Sequence, residues 1–132
     1  MDERSCFRAC LLGGAVGDAL GGAVEFMSLS AIHQQFGSSG IRDYAPAYGR
    51  KGAITDDTQM TLFTAEGLIR GLVRERHKGI SSYSSVTAGA YQRWLMTQGD
   101  SNQAGLDCIS PESGWLYTVG DLHSQRAPGL TC

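Results

Sequence analysis

The chain has little net charge and no run of one sign. Its 132 residues carry 11 Lys and Arg against 13 Asp and Glu, a formal balance of -2 with no basic stripe. A face that holds a polyanion needs clustered cations, so nucleic acid and anionic membrane are not expected partners. Long apolar runs are missing as well. The N-terminus, MDERSCFRAC, is charged, and the apolar stretch behind it is broken by glycines and by Asp18. Neither a signal peptide nor a membrane span fits this pattern, and the expectation is a cytoplasmic protein. The cysteines, Cys6, Cys10, Cys108 and Cys132, include no C-x-x-C pair, and no histidine stands at zinc-finger spacing from them. They are expected as buried free thiols, with a disulfide or soft-metal site as the alternative. Missing too are a G-K-[ST] phosphate loop, a G-x-G-x-x-G turn after a strand and a G-x-S-x-G elbow. His33, His77 and His123 are isolated from one another and are expected in exposed or capping positions.

What remains is globular. Hydrophobic residues make up 42% of the chain and charged residues 18%, which argues against disorder. The length suits one domain over residues 1–132, and a domain of this size buries about two-thirds of its unfolded surface. No convincing period-two strand occurs, so the fold class is all-α. Residues 4–23 read as a helix with Phe7, Cys10, Leu11, Gly14 and Ala15 on its buried face. Each helical glycine costs about 1 kcal/mol relative to alanine. Gly13, Gly14, Gly17, Gly21 and Gly22 therefore call for close approach of a backbone or ligand, or else for a glycine-rich loop.

Residues 28–54 have no sustained period and are expected as loop with a short helix near Ile32 to Phe36. Residues 56–77 give the clearest helix, with Leu62, Ala65, Ile69, Leu72 and Val73 as its apolar stripe. Glu66 and Arg70 stand at pairing distance along it, and Gly79 is placed to stop it. A third long helix covers Ser84 to Thr97, with a loop over Gly99 to Gly114 and a helical turn near Trp115 to Leu122. Three such helices and long loops make a modest core for a complete domain.

The chemistry concentrates in Thr55-Asp56-Asp57-Thr58, directly before the strongest helix. Thr and Asp are good caps, and carboxylates suit a first helical turn. Yet one cap needs only one of them, and adjacent carboxylates repel. A hard cation such as magnesium takes several oxygens in octahedral geometry, and this turn offers three side-chain oxygen donors in Thr55, Asp56 and Asp57. The second element is GDALGGAVEF, residues 17–26. Asp18 falls on the apolar side of a helix, where a carboxylate must be paired or hydrogen-bonded. Glu25, between Val24 and Phe26, is either a solvated helix-end residue or a carboxyl whose apolar neighbours raise its pKa for acid–base work.

GAVGDALGGAVEF, a glycine-containing loop, TDDTQMTLFTAEGL and the later QRAPGLTC together resemble the ADP-ribosylglycohydrolases, over nearly the whole chain from Cys6 to Cys132. The resemblance implies an all-α fold, of which this chain would be an incomplete N-terminal part. It implies a site with two magnesium ions, of which this chain alone would hold one or none. It implies cleavage of the bond between ADP-ribose and a protein side chain, often arginine, or of a related ADP-ribose derivative. By motif, Thr55, Asp56 and Asp57 would be metal ligands and Glu25 a catalytic carboxylate near the ribose. Asp18 would support the site from behind, and Gly129 and Thr131 would line the ribose pocket.

The sequence departs from the family pattern in three places. Leu130 stands where Asn is usual, and Ala127 where some members carry a catalytic Asp. The second Asp-x-Asp-Thr segment of the family is not found, and Asp100, Asp107 and Asp121 do not reproduce it. Two readings stay open: part of an ADP-ribosyl hydrolase that is inactive alone, or a non-catalytic truncated copy that binds a metal, ADP-ribose or a partner protein. Either leaves apolar surface to self-associate, for which Trp94, Leu95, Trp115, Leu116 and Leu122 are the candidates.

Overall fold

A computed structural model of the chain describes residues 2–99, 110 and 113–127. Among them are four α-helices: α1 (Glu3–Gly21), α2 (Leu29–Phe36), α3 (Asp56–Lys78) and α4 (Tyr83–Thr97). A two-residue hairpin, β1 (Pro46–Ala47) and β2 (Arg50–Lys51), and two 3-10 turns at Leu116–Thr118 and Gly120–Leu122 complete the regular structure. The all-α expectation holds. None of these helices is long and apolar enough to cross a membrane.

Local chemistry explains the element ends. Asp2, Ser28 and Ser82 cap α1, α2 and α4, each side chain accepting from the backbone N–H three residues on. Gly79 ends α3 with a φ of 73°, its N–H returning to Glu75 O at 2.8 Å. The hairpin turns on Tyr48 and Gly49, both with positive φ, which is the two-residue turn whose twist matches paired strands.

The chain divides into two compact units, Met1–Thr58 and Gln59–Cys132, so that α3 begins in the first and continues through the second. In the first unit Ala19 and Ala53 are buried, and the C-terminal part of α1 lies against the stretch leading into α3. The expected buried face of α1 is not found: Phe7 is 72% exposed, and Cys6 and Cys10 are exposed thiols rather than buried ones. A side chain at Gly13, Gly14, Gly17 or Gly21 would meet nothing within 4 Å among the described residues. Only Gly22 lies in close contact, against the Thr55 methyl and the Ala53 carbonyl.

The second unit packs α3 against α4. Partners run in opposite directions along the two helices: Thr64 bonds Tyr91, Gly67 meets Thr87, and Gly71 meets Tyr83. A Cβ on Gly67 would stand 2.8 Å from Thr87 Cα, so this approach requires glycine. The packed face of α3 is thus Gln59, Phe63, Glu66, Gly67 and Gly71. The expected stripe is turned outward at Ile69, Leu72 and Val73, which are 48%, 41% and 46% exposed. Small residues let the helix backbones approach, and that contact outweighs the apolar pattern here.

Two further expectations are corrected in this unit. Trp94 and Leu122, candidates for uncovered surface, are buried in its core with Phe63 and Ala90, Trp94 and Ala90 lying on the buried side that the spacing of the third long helix predicts. Trp115 is exposed as expected, and Leu95 and Leu116 are half-buried. Glu66 does not pair with Arg70. It lies 3.6 Å from Arg93, both side chains buried, and accepts the Trp115 N–H. Arg70 donates to the Ser113 carbonyl instead.

Candidate functional site

The site grows from the C-terminal end of α1. Asp18 sits one turn before that end, and successive turns follow it, with Val24 N–H bonded to Gly21 O and Met27 N–H to Val24 O, both at 2.9 Å. These turns lead to Glu25, which lines the same cleft as Asp18.

The Asp18 carboxylate is the hub. Its Oδ2 accepts the Thr55 backbone N–H at 2.8 Å, and its Oδ1 accepts the Thr55 hydroxyl at 2.6 Å. The Thr58 hydroxyl donates to Oδ2 as well. Thr55 Oγ1 in turn accepts the Asp57 N–H at 3.2 Å, which makes Thr55 the cap of α3. The capping and hard-cation readings of this turn are therefore compatible. Capping uses Thr55 alone, and among the described residues the Asp56 and Asp57 carboxylates have no hydrogen-bond or salt-bridge partner.

Asp18, Gly21, Gly22, Glu25, Thr55 and Asp57 line one open cleft of about 250 Å³. Asp56 is buried beside it and Asp57 is exposed. Glu25 is exposed at the cleft edge, as a solvated helix-end residue would be, and its carboxyl is nonetheless raised above the ordinary value, by partial desolvation and then by the negative charges of Asp56, Asp57 and Asp18. Among the described residues the lining of the cleft is acidic and includes no base.

Its donor set suits a hard cation. All the ligating atoms available are oxygens. The Thr55 hydroxyl gives its proton to Asp18, so its remaining lone pair is free to face a cation rather than a hydrogen. The set is also incomplete. Among the described residues no three His, Cys, Asp or Glu side chains converge to hold an ion by themselves.

The structure brings together Asp18, Glu25, Thr55 and Asp57, with Asp56 alongside. Gly129, Leu130 and Thr131 lie outside the described residues, as do Asp100, Asp107, Cys108 and Cys132. Ala127 and Asp121 are exposed. His33 is exposed, and His123 pairs with the Tyr117 carbonyl at 2.6 Å. Sequence reasoning passed over Thr58 and Gln59. The repeated threonine in T-x-x-T, one helical turn apart, was the available signal for Thr58; nothing local marks a buried glutamine.

The model of the ADP-ribosylglycohydrolase family matches residues 1–132. A protein of Archaeoglobus fulgidus, itself uncharacterized, is 44% identical over 72 residues, which are 52% of this chain. The match covers 22% of that relative's length. No solved structure matches significantly. With the family match running the length of the chain, and its two acidic motifs meeting in one cleft, the chain belongs to the ADP-ribosylglycohydrolase family.

Proposed function

We propose that this chain contributes one wall of a magnesium-dependent site that hydrolyses the N-glycosidic bond between ADP-ribose and a protein side chain, arginine being the first candidate. The observation that carries this reading is the Asp18–Thr55 pair. It fixes the start of α3 while leaving the Asp56 and Asp57 carboxylates unpartnered beside Glu25.

In this reading Thr55, Asp56 and Asp57 would hold magnesium, which when bound would supply positive charge for an anionic substrate. Asp18 takes no cation. It orients Thr55 by accepting its hydroxyl and amide protons. Glu25 carries the acid–base work. The bond from the ribose anomeric carbon to the side-chain nitrogen breaks, the nitrogen leaves with a proton from the Glu25 carboxyl, the oxygen of water bonds to the carbon, and the surplus proton of that water returns to the Glu25 carboxylate. Desolvation and neighbouring negative charge both favour the protonated form that this step needs. Gly129 and Thr131 are assigned to the ribose on the family pattern alone.

The 132-residue chain has no second Asp-x-Asp-Thr segment. Alone, it is expected to bind one ion weakly and to release no ADP-ribose from ADP-ribosylated arginine. Two-ion chemistry needs ligands from both sides, and its parts act together rather than additively. Joining it to the remaining part of a family member should restore turnover, and Asp57→Asn should then abolish it. Release of ADP-ribose by the 132-residue chain in magnesium, stopped by Asp57→Asn, would show the missing ligands to come from elsewhere, a second copy included. Among the described residues the donor set is incomplete, and this favours one other reading, a non-catalytic module that binds ADP-ribose, a metal or a protein. A joined chain that binds ADP-ribose without turnover would support it.

A further inference from the structure

We propose that Thr58 is a positioning residue of this site, holding the Asp18 carboxylate in the one orientation that aims the Thr55 hydroxyl. The inference rests on the cation reading above only for its second readout.

The argument begins with what a threonine in a helix ordinarily does. Its hydroxyl bonds a carbonyl in the preceding turn. Thr64 does so, donating to Met60 O at 2.8 Å. Thr58, on the same helix, gives its hydroxyl to Asp18, 40 residues away in sequence. It is nearly buried, so this bond is not one that water readily replaces.

Rotation about the bond to a carboxylate group is soft, with broad minima. One donor would leave that rotation loose. Asp18 has three: the Thr55 N–H and the Thr58 hydroxyl on Oδ2, and the Thr55 hydroxyl on Oδ1. Both Thr55 donors move with the residue that is to be oriented; the Thr58 hydroxyl is the donor outside it, and it ties the carboxylate plane to the first turn of α3. That plane sets where the Thr55 hydroxyl proton points, and with the Asp57 N–H on the same oxygen it sets the direction of the lone pair left over. Removing the Thr58 hydroxyl therefore disturbs a ligand it never touches. Groups standing behind metal ligands commonly change metal affinity by about 10–100-fold in this way.

The test uses the 132-residue chain with two substitutions. Thr58→Val keeps the shape and loses the hydroxyl; Thr58→Ser keeps the hydroxyl. Amide hydrogen exchange at Thr55 N–H is read without cation, and manganese affinity is read by calorimetry. Thr58→Val is expected to speed Thr55 exchange and weaken manganese binding about 10-fold, with Thr58→Ser near wild type in both. The Trp94 indole N–H, bonded to Gln59, reports the general state of the fold and should not change. Unchanged Thr55 exchange in Thr58→Val overturns the proposal. So does equal damage by Thr58→Ser, which would assign the effect to the methyl group, or a matching rise at Trp94, which would make it general loosening. Faster Thr55 exchange with unaltered manganese affinity overturns it too. A wild-type chain that binds no manganese sinks the cation reading instead, and Thr55 exchange still decides whether Thr58 orients Asp18.

Discussion

Trp94 donates its indole N–H to Gln59 Oε1 at 3.1 Å, between two of the largest fully buried side chains. The same oxygen accepts from Gln98 Nε2 at 3.1 Å, and Gln59 Nε2 reaches the carbonyls of Ser124 and Leu122 at 3.2 and 3.5 Å. One amide thus satisfies groups on α4 and on the segment after the second 3-10 turn. Gln59→Leu would leave these groups without their partner, and a buried unsatisfied polar group costs roughly 1–3 kcal/mol. The expected result is a loss of at least that size in urea unfolding. A variant as stable as the wild type would show that water takes over the amide's role.

Glu66 and Arg93 give a sharper case. Desolvation lowers the Arg93 pKa, and Glu66 opposes that shift. Glu66→Ala would strand a buried guanidinium, and breaking such a pair from one side costs about 3–5 kcal/mol. Circular dichroism should find Glu66→Ala largely unfolded at 37 °C. Replacing both residues by Met should recover much of the loss, and a double variant as damaged as the single one would sink this account.

Gly67 faces the Thr87 backbone where α3 packs against α4. Gly67→Leu must force the helices apart, and overpacking of this kind costs typically about 1–3 kcal/mol. Thermal unfolding should show a clear drop in Tm, while the exposed Leu68→Ala leaves Tm nearly unchanged. Equal effects would contradict the packing described.

Glu25 supplies a pH dependence of definite sign. Its carboxyl is raised in the folded chain, so the folded state keeps a proton that the unfolded chain has already released. The stability this gives is full below the unfolded value and is lost as pH rises through the folded one. In cation-free buffer, wild type should therefore lose stability across a window just above the ordinary glutamate range, and Glu25→Gln should not. Added magnesium should narrow the window by offsetting Asp56 and Asp57. An NMR titration that places Glu25 at or below the ordinary value would contradict this.

The outward apolar residues of α3 predict association. Ile69, Leu72 and Val73 share one helix with exposed Leu68. In sedimentation, wild type should self-associate, and the double variant Ile69→Lys with Leu72→Glu should reduce it without changing helix content. A monodisperse wild type would argue against a sticky face.

The helices were legible in the sequence because periodicity and caps act locally. Gly79 and the cationic residues before it marked the end of α3 to within one residue, His77 being expected and Lys78 found. The face that α3 buries was not legible. Apolar spacing pointed to Ile69 and Leu72, whereas close approach at Gly67 and Gly71 decided the packing, and small residues leave no apolar signal. At the site, the motif order picked out Asp18, Glu25 and the TDD turn. Their meeting depends on bonds 37 residues apart in sequence, which no local pattern contains.

The Asp18–Thr55 bonds have one more consequence. They fasten together the two ends of an excursion that holds α2 and the hairpin. Once such a base is closed, doubling the length of the chain it encloses adds only about 0.6 kcal/mol of closure entropy. The stretch between Met27 and Gly52 is therefore a cassette. It can be lengthened or shortened at small entropic cost while the Asp18 carboxylate at its neck keeps Thr55 in place.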